Sequence, residues 1–119
     1  MNEGYLEILN SISSSKPTPG GGSVAALTLA HGHSLSVMGS RLTVKNDKWI
    51  DGHSLASSII NQSEDNIAKC ITLANNDSSA FDGVMSAYRL PKDEAGSNTR
   101  SIAIRKATID AAEAPLETM

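Results

Sequence analysis

Aromatic residues are almost absent from this chain. Its 119 residues include one Trp, one Phe and two Tyr (Trp49, Phe81, Tyr5 and Tyr88). So few flat rings exclude a platform on which nucleic-acid bases stack. Cysteine is scarcer still: Cys70 stands alone. A single thiol excludes an intramolecular disulfide and a cysteine-built metal site, and it fits a reducing, cytoplasmic setting. Positive charge is not in excess, since ten Lys and Arg stand against thirteen Asp and Glu for a net charge of −3. No general nucleic-acid or membrane surface is expected from that balance. No apolar run reaches the roughly 18 residues that a membrane span needs. The N-terminal MNEGYLEILNSI has neither a basic start nor a long apolar core, so it does not read as a signal peptide. Period-two alternation, the mark of a half-buried strand, is missing throughout, and so is any internal repeat.

What remains is helical periodicity. At this length the chain is one domain at most, with a modest core. Tyr5, Ile8, Leu9 and Ile12 fall on one face of a short helix over 3–13. A second helix is predicted over 23–45, capped by Ser23. Val24, Leu27, His31, Leu35, Met38 and Leu42 give it a large apolar stripe. Ala25, Gly32, Ser36, Gly39 and Thr43 give it a row of small residues suited to close helix packing, or to a subunit contact. Residues 45–53 read as an irregular turn, with Asp51 or Ser54 as the next cap. A long helix follows over 54–90, on the order of 50 Å at 1.5 Å per residue, and Pro91 stops it. Its stripe runs Ile67, Cys70, Ala74, position 77, Phe81, Val84, Tyr88. After a loop over 91–98, a fourth helix is predicted from Thr99, with Ile102, Lys106, Ile109, Ala112 and Leu116 on one face and a break at Pro115. The predicted class is therefore all-α: a bundle of about four long amphipathic helices, incomplete alone and completed by further chain or by dimerisation.

Two features carry chemistry. The first is PTPGGGS, from Pro17 to Ser23. Prolines fix the backbone, three glycines allow positive φ and close approach, and a helix N-terminus follows. Such a turn either packs tightly against another helix or offers its N–H groups to a ligand. The second is position 77 of the long stripe, which is Asp77. A carboxylate on an apolar stripe is costly unless paired, hydrogen-bonded or protonated. Enclosure would suit it to general acid–base work. Alternatively the helix turns there, so that Asp77 meets water or a Lys or Arg. Ser78 and Asp82 are expected to point away from the stripe. Arg41, Lys45, Arg89 and Lys92 sit near helix ends, and Arg89 is the best placed to meet a carboxylate ligand. His31 and His33 flank Gly32 and diverge on a helix, so they make a poor chelate. No metal site is expected, and Cys70 reads as inert packing.

Three blocks together resemble one known family. PTPGGGSVAAL at 17–27, the D-x-x-A-F of Asp77 to Phe81, and VMSAYRLPK at 84–92 are similar to formimidoyltetrahydrofolate cyclodeaminases and methenyltetrahydrofolate cyclohydrolases. The tail Ala114, Pro115, Leu116 resembles the family's A-x-x-x-P-L segment. The resemblance implies that 1–119 is a single helical domain matching about the first three-fifths of such a domain. It implies a homodimeric, cytoplasmic enzyme of folate one-carbon metabolism that needs no cofactor beyond its tetrahydrofolate substrate. It assigns Asp77 the role of general acid or base. Pro19, Gly20, Gly21, Gly22 and Ser23 would bind substrate, and Arg89 and Lys92 would pair with its glutamate or polyglutamate carboxylates. Cyclodeamination and the cyclohydrolase reaction both remain open. So does a non-catalytic helical dimer or folate-binding remnant. The chain departs from the family at Asn75, where an acidic residue often stands.

Overall fold

The computed structural model describes residues 3–92 and 96–119, and every regular element in them is helical. The order is α1 (Glu3–Ile12), α2 (Gly21–Lys45), a 3-10 turn over Asp47–Gly52, α3 (His53–Tyr88) and α4 (Ser97–Thr118). The all-α expectation holds. Of the loop expected over 91–98, positions 93–95 lie outside the described residues.

Two boundaries differ from expectation for physical reasons. α2 starts at Gly21, because none of the described glycines takes a positive φ and the Val24 N–H already reaches the Gly20 carbonyl at 3.0 Å. Ser23 therefore lies within the first turn and is not the N-cap. α4 runs through Pro115 to Thr118 without a break. A proline in the last turn forfeits one hydrogen bond, and the Met119 N–H still closes on the Pro115 carbonyl at 3.3 Å.

The chain divides into two compact units, residues 26–72 and residues 1–25 with 73–119. In the first, α2 and α3 form a helical hairpin around the 3-10 turn. Asn46 caps that turn by accepting the Lys48 N–H at 3.0 Å. The His53 ring nitrogen lies 3.1 Å from the Asn46 carbonyl, to which its N–H donates. α3 follows directly at His53, ahead of Ser54. Buried positions in this unit are Ala26, Ala30, Val37 and Ser40 on α2, and Ala56, Ser63 and Cys70 on α3. The α3 set repeats every seventh residue, the spacing of a helix seam. Side chains this small bring helix axes close. Close packing of small residues thus occurs, but on a different face from the one expected. The expected large stripe is exposed at Leu35 (62%), Met38 (53%) and Leu42 (58%), and Gly32, Ser36 and Gly39 are exposed as well. Arg41 and Glu64 form an ion pair across the hairpin, both well solvated, which contributes less than about 1 kcal/mol.

In the second unit, α1 and α4 bury no residue completely, while Leu73, Ala74 and Ala87 of α3 are buried beside Ser23. The inward row of α4 is Ala103, Ala107, Ala111 and Ala114, all half-buried. Ile102 and Leu116, expected on the packed face, are exposed, as is Ile109. Arg100 ties the start of α4 to the end of α3: its guanidinium donates to the Tyr88 carbonyl at 3.4 Å and lies 5.5 Å from the Tyr88 ring centroid. A cation is well placed there, against the negative end of the α3 dipole.

Candidate active site

The 1–25 and 73–119 unit contains an open pocket of about 340 Å³. Thr18 and the backbone of Gly20, Gly21 and Gly22 form one wall. α3 contributes Asp77 and Phe81, and α4 contributes Ala111 and Pro115. Asp77 is the one ionisable side chain among the lining residues. It is half-buried, not sealed in a core, makes no ion pair with a cation among the described residues, and faces this pocket.

Gly22 is what makes that placement fit. A methyl group built on Gly22 would overlap all three carboxyl atoms of Asp77, whereas one built on Gly21 meets nothing within 4 Å. The glycine run therefore serves close approach rather than a left-handed backbone. The carboxyl of Asp77 occupies the space that a side chain at position 22 would need.

Beneath the pocket floor Ser23 is 1% exposed. Its Oγ lies 2.8 Å from the Ala74 carbonyl, 3.3 Å from Asp77 Oδ2 and 2.6 Å from Ser78 Oγ. A hydroxyl has one proton to donate. With Ser78 donating to Ser23, the Ser23 proton is left for either the Ala74 carbonyl or the Asp77 carboxylate. This is a support for Asp77 more than a surface for a ligand. Ser23→Ala should lower unfolding free energy by about 1 kcal/mol, because it removes a buried hydroxyl and its hydrogen bonds to the Ala74 carbonyl and the half-buried Ser78; urea denaturation followed by circular dichroism checks this.

Gly20, Gly21 and Gly22 line the pocket, while Pro19 is half-buried and does not. Arg89 and Lys92 are exposed, outside the lining. Asn75 is exposed and also outside it, so an acid there would not share the pocket with Asp77. Ser78 and Asp82 do not point away: Ser78 meets Ser23, and Asp82 Oδ1 accepts from Thr18 Oγ1 at 3.1 Å. Pro17, Phe81 and Pro115 also line the pocket without having been assigned to it, and sequence reasoning gave no role at all to Thr18 and Ala111. Their signal was faint, a polar residue between two prolines and an alanine one turn before Pro115. His31 is exposed, with its Nδ1 2.7 Å from the Leu27 carbonyl. Among the described residues no three His, Cys, Asp or Glu side chains gather as a metal site would require. No described helix is long and apolar enough to cross a membrane.

Comparison with known proteins gives this pocket a context. A methenyltetrahydrofolate cyclohydrolase of Methylorubrum extorquens is 34% identical over 116 residues, which is 97% of this chain and 56% of that protein. The chain thus spans about half the length of that relative. The profile of the formiminotransferase-cyclodeaminase family matches residues 5–119, from within α1 to the last residue. The glycine wall, the Asp77 carboxyl and the Pro115 turn all fall inside that match, and the chain belongs to the formiminotransferase-cyclodeaminase family.

Proposed function

We propose that this protein interconverts 5,10-methenyltetrahydrofolate and 10-formyltetrahydrofolate, with Asp77 as the proton-transfer group. The observation that carries the reading is a lone carboxyl facing a glycine-walled pocket. In the hydrolytic direction, water adds to the electrophilic carbon between N5 and N10, and Asp77 accepts its proton. The bond from that carbon to N5 then breaks as the new hydroxyl gives up its remaining proton to solvent and becomes the formyl oxygen on N10, while Asp77 returns its proton to N5. A carboxyl that takes and returns one proton serves both halves. The Ser23 hydroxyl, 3.3 Å from Oδ2, stabilises the carboxylate whenever it is charged.

The same site suits cyclodeamination. There N10 attacks the formimino carbon of 5-formiminotetrahydrofolate, and the departing nitrogen must be protonated to leave as ammonia. The relative's name favours the cyclohydrolase reaction. The pocket is near the small end of ligand sites, roughly 300–1,000 Å³, so it fits the reacting rings and leaves the glutamate tail outside. Arg89 and Lys92, exposed beyond α3, are available to tail carboxylates and take no part in the ring chemistry. The exposed row Leu35, Met38 and Leu42 supports a homodimer.

The test offers each folate to the purified protein and follows methenyltetrahydrofolate by its absorbance. Loss of the methenyl signal with appearance of 10-formyltetrahydrofolate supports the cyclohydrolase. Methenyl formation with ammonia release from the formimino substrate moves the assignment to the deaminase. Binding of either folate without turnover overturns catalysis and leaves a folate-binding protein.

A further inference from the structure

Pro17 to Ser23 is a segment with few handholds. Prolines and glycines carry no polar side chain, so only Thr18 and Ser23 can be tied down through side chains. Both are tied to the same stretch of α3. The Thr18 hydroxyl donates to Asp82 Oδ1 at 3.1 Å, and Ser23 Oγ meets Ser78 Oγ at 2.6 Å. Ser78 and Asp82 are four residues apart, hence neighbours on one helix face. Neither lines the pocket. Between the two anchors the side-chain-free backbone of Gly20–Gly22 passes over Asp77, with Gly22 against its carboxyl.

We propose that Ser78 and Asp82 are positioning residues: a two-point clamp that pins both ends of the 18–23 segment to α3 and so sets the gap between the glycine backbone and the Asp77 carboxyl. The clamp rests on Asp77 being the reacting group, and its test separates the two ideas. The anchors differ in kind. Ser78–Ser23 is the part-buried one and governs which acceptor the Ser23 proton takes. Asp82–Thr18 is the solvated one and governs the approach of the loop. Asp82 is also a carboxylate five residues along α3 from Asp77, so removing it changes charge as well as contact.

Four variants resolve contact from charge. Ser78→Ala and Asp82→Ala each remove an anchor. Ser78→Thr keeps the hydroxyl, and Asp82→Asn keeps an oxygen that accepts from Thr18 while losing the charge. The readouts are kcat and KM on methenyltetrahydrofolate, thermal unfolding, and the 13C chemical shift of the Asp77 carboxyl at one fixed pH. Each alanine variant should lower kcat about 10-fold, with KM changing less, because the cost is misplacement of the reacting group. Ser78→Thr and Asp82→Asn should recover most of that loss. The Asp77 chemical shift should differ between Asp82→Ala and Asp82→Asn, and between Ser78→Ala and Ser78→Thr. If the alanine variants show the same Asp77 shift as their conservative partners, the clamp is wrong, whatever the turnover. If no variant and no wild-type protein turns over folate but the Asp77 resonance responds as described, the clamp stands and the catalytic reading falls. Equal kcat losses in the alanine and the conservative variants would also overturn the clamp.

Discussion

Asp77→Asn should leave the fold intact and reduce kcat by about 10²–10⁴-fold, the usual worth of a positioned acid or base. The side chain keeps its shape, and its remaining oxygen still accepts from Ser23 Oγ, which lies 3.3 Å from Oδ2 in the wild type. What it loses is the ability to take a proton from water and give it back. Among the described residues no second ionisable group lines the pocket to substitute. KM should change little, because the glycine wall and Phe81 remain. Steady-state rates with methenyltetrahydrofolate, alongside thermal unfolding of both proteins, decide the matter. Undiminished kcat in the variant would remove Asp77 from the mechanism.

A matched pair of glycine substitutions should separate as sharply. Both Gly21 and Gly22 lie in the first turn of α2 with negative φ, so alanine is permitted by the backbone at each. At Gly21 the new methyl meets nothing within 4 Å, and Gly21→Ala should raise stability by about 0.5 kcal/mol through loss of unfolded-state freedom. At Gly22 the same methyl overlaps the Asp77 carboxyl. The carboxyl must rotate out, leaving Ser23 and its place in the pocket. Gly22→Ala should therefore cost activity on the order of 10²-fold, the effect of displacing a reacting group by about 1 Å. Thermal unfolding measures the first outcome and turnover the second. A Gly22→Ala protein of normal activity would show that Asp77 works from another rotamer.

The four helices were legible because their periodicity is long and their ends are punctuated. Lys45 ends α2 as expected, and α3 stops just short of Pro91. Which face turns inward was not legible. In α2, rows at helical spacing run through Leu35, Met38 and Leu42 and also through Ala26, Ala30, Val37 and Ser40, and periodicity alone does not choose between them. The usual preference for burying the largest apolar groups points to the wrong row, because these helices meet through alanine and serine. α4 repeats the pattern, with Ala103, Ala107 and Ala111 turned inward and Ile102 outward. The candidate site was legible at Asp77, since a carboxylate interrupting an apolar row is conspicuous in any sequence. Ser78 and Asp82 were not, because their meaning lies in partners 55 and 64 residues away in the chain. The glycine run offers both positive φ and close approach, and the structure uses only the second, through the missing side chain at position 22.

The seam of the α2–α3 hairpin holds the chain's single thiol, with Cys70 only 2% exposed. A thiol so enclosed reacts with a water-soluble reagent only when its surroundings part. The protein thus carries its own reporter: the rate at which Cys70 is modified counts how often that helix pair breathes. One adduct per chain, with no label to install and no competing cysteine, turns a packing residue into a clock for local opening.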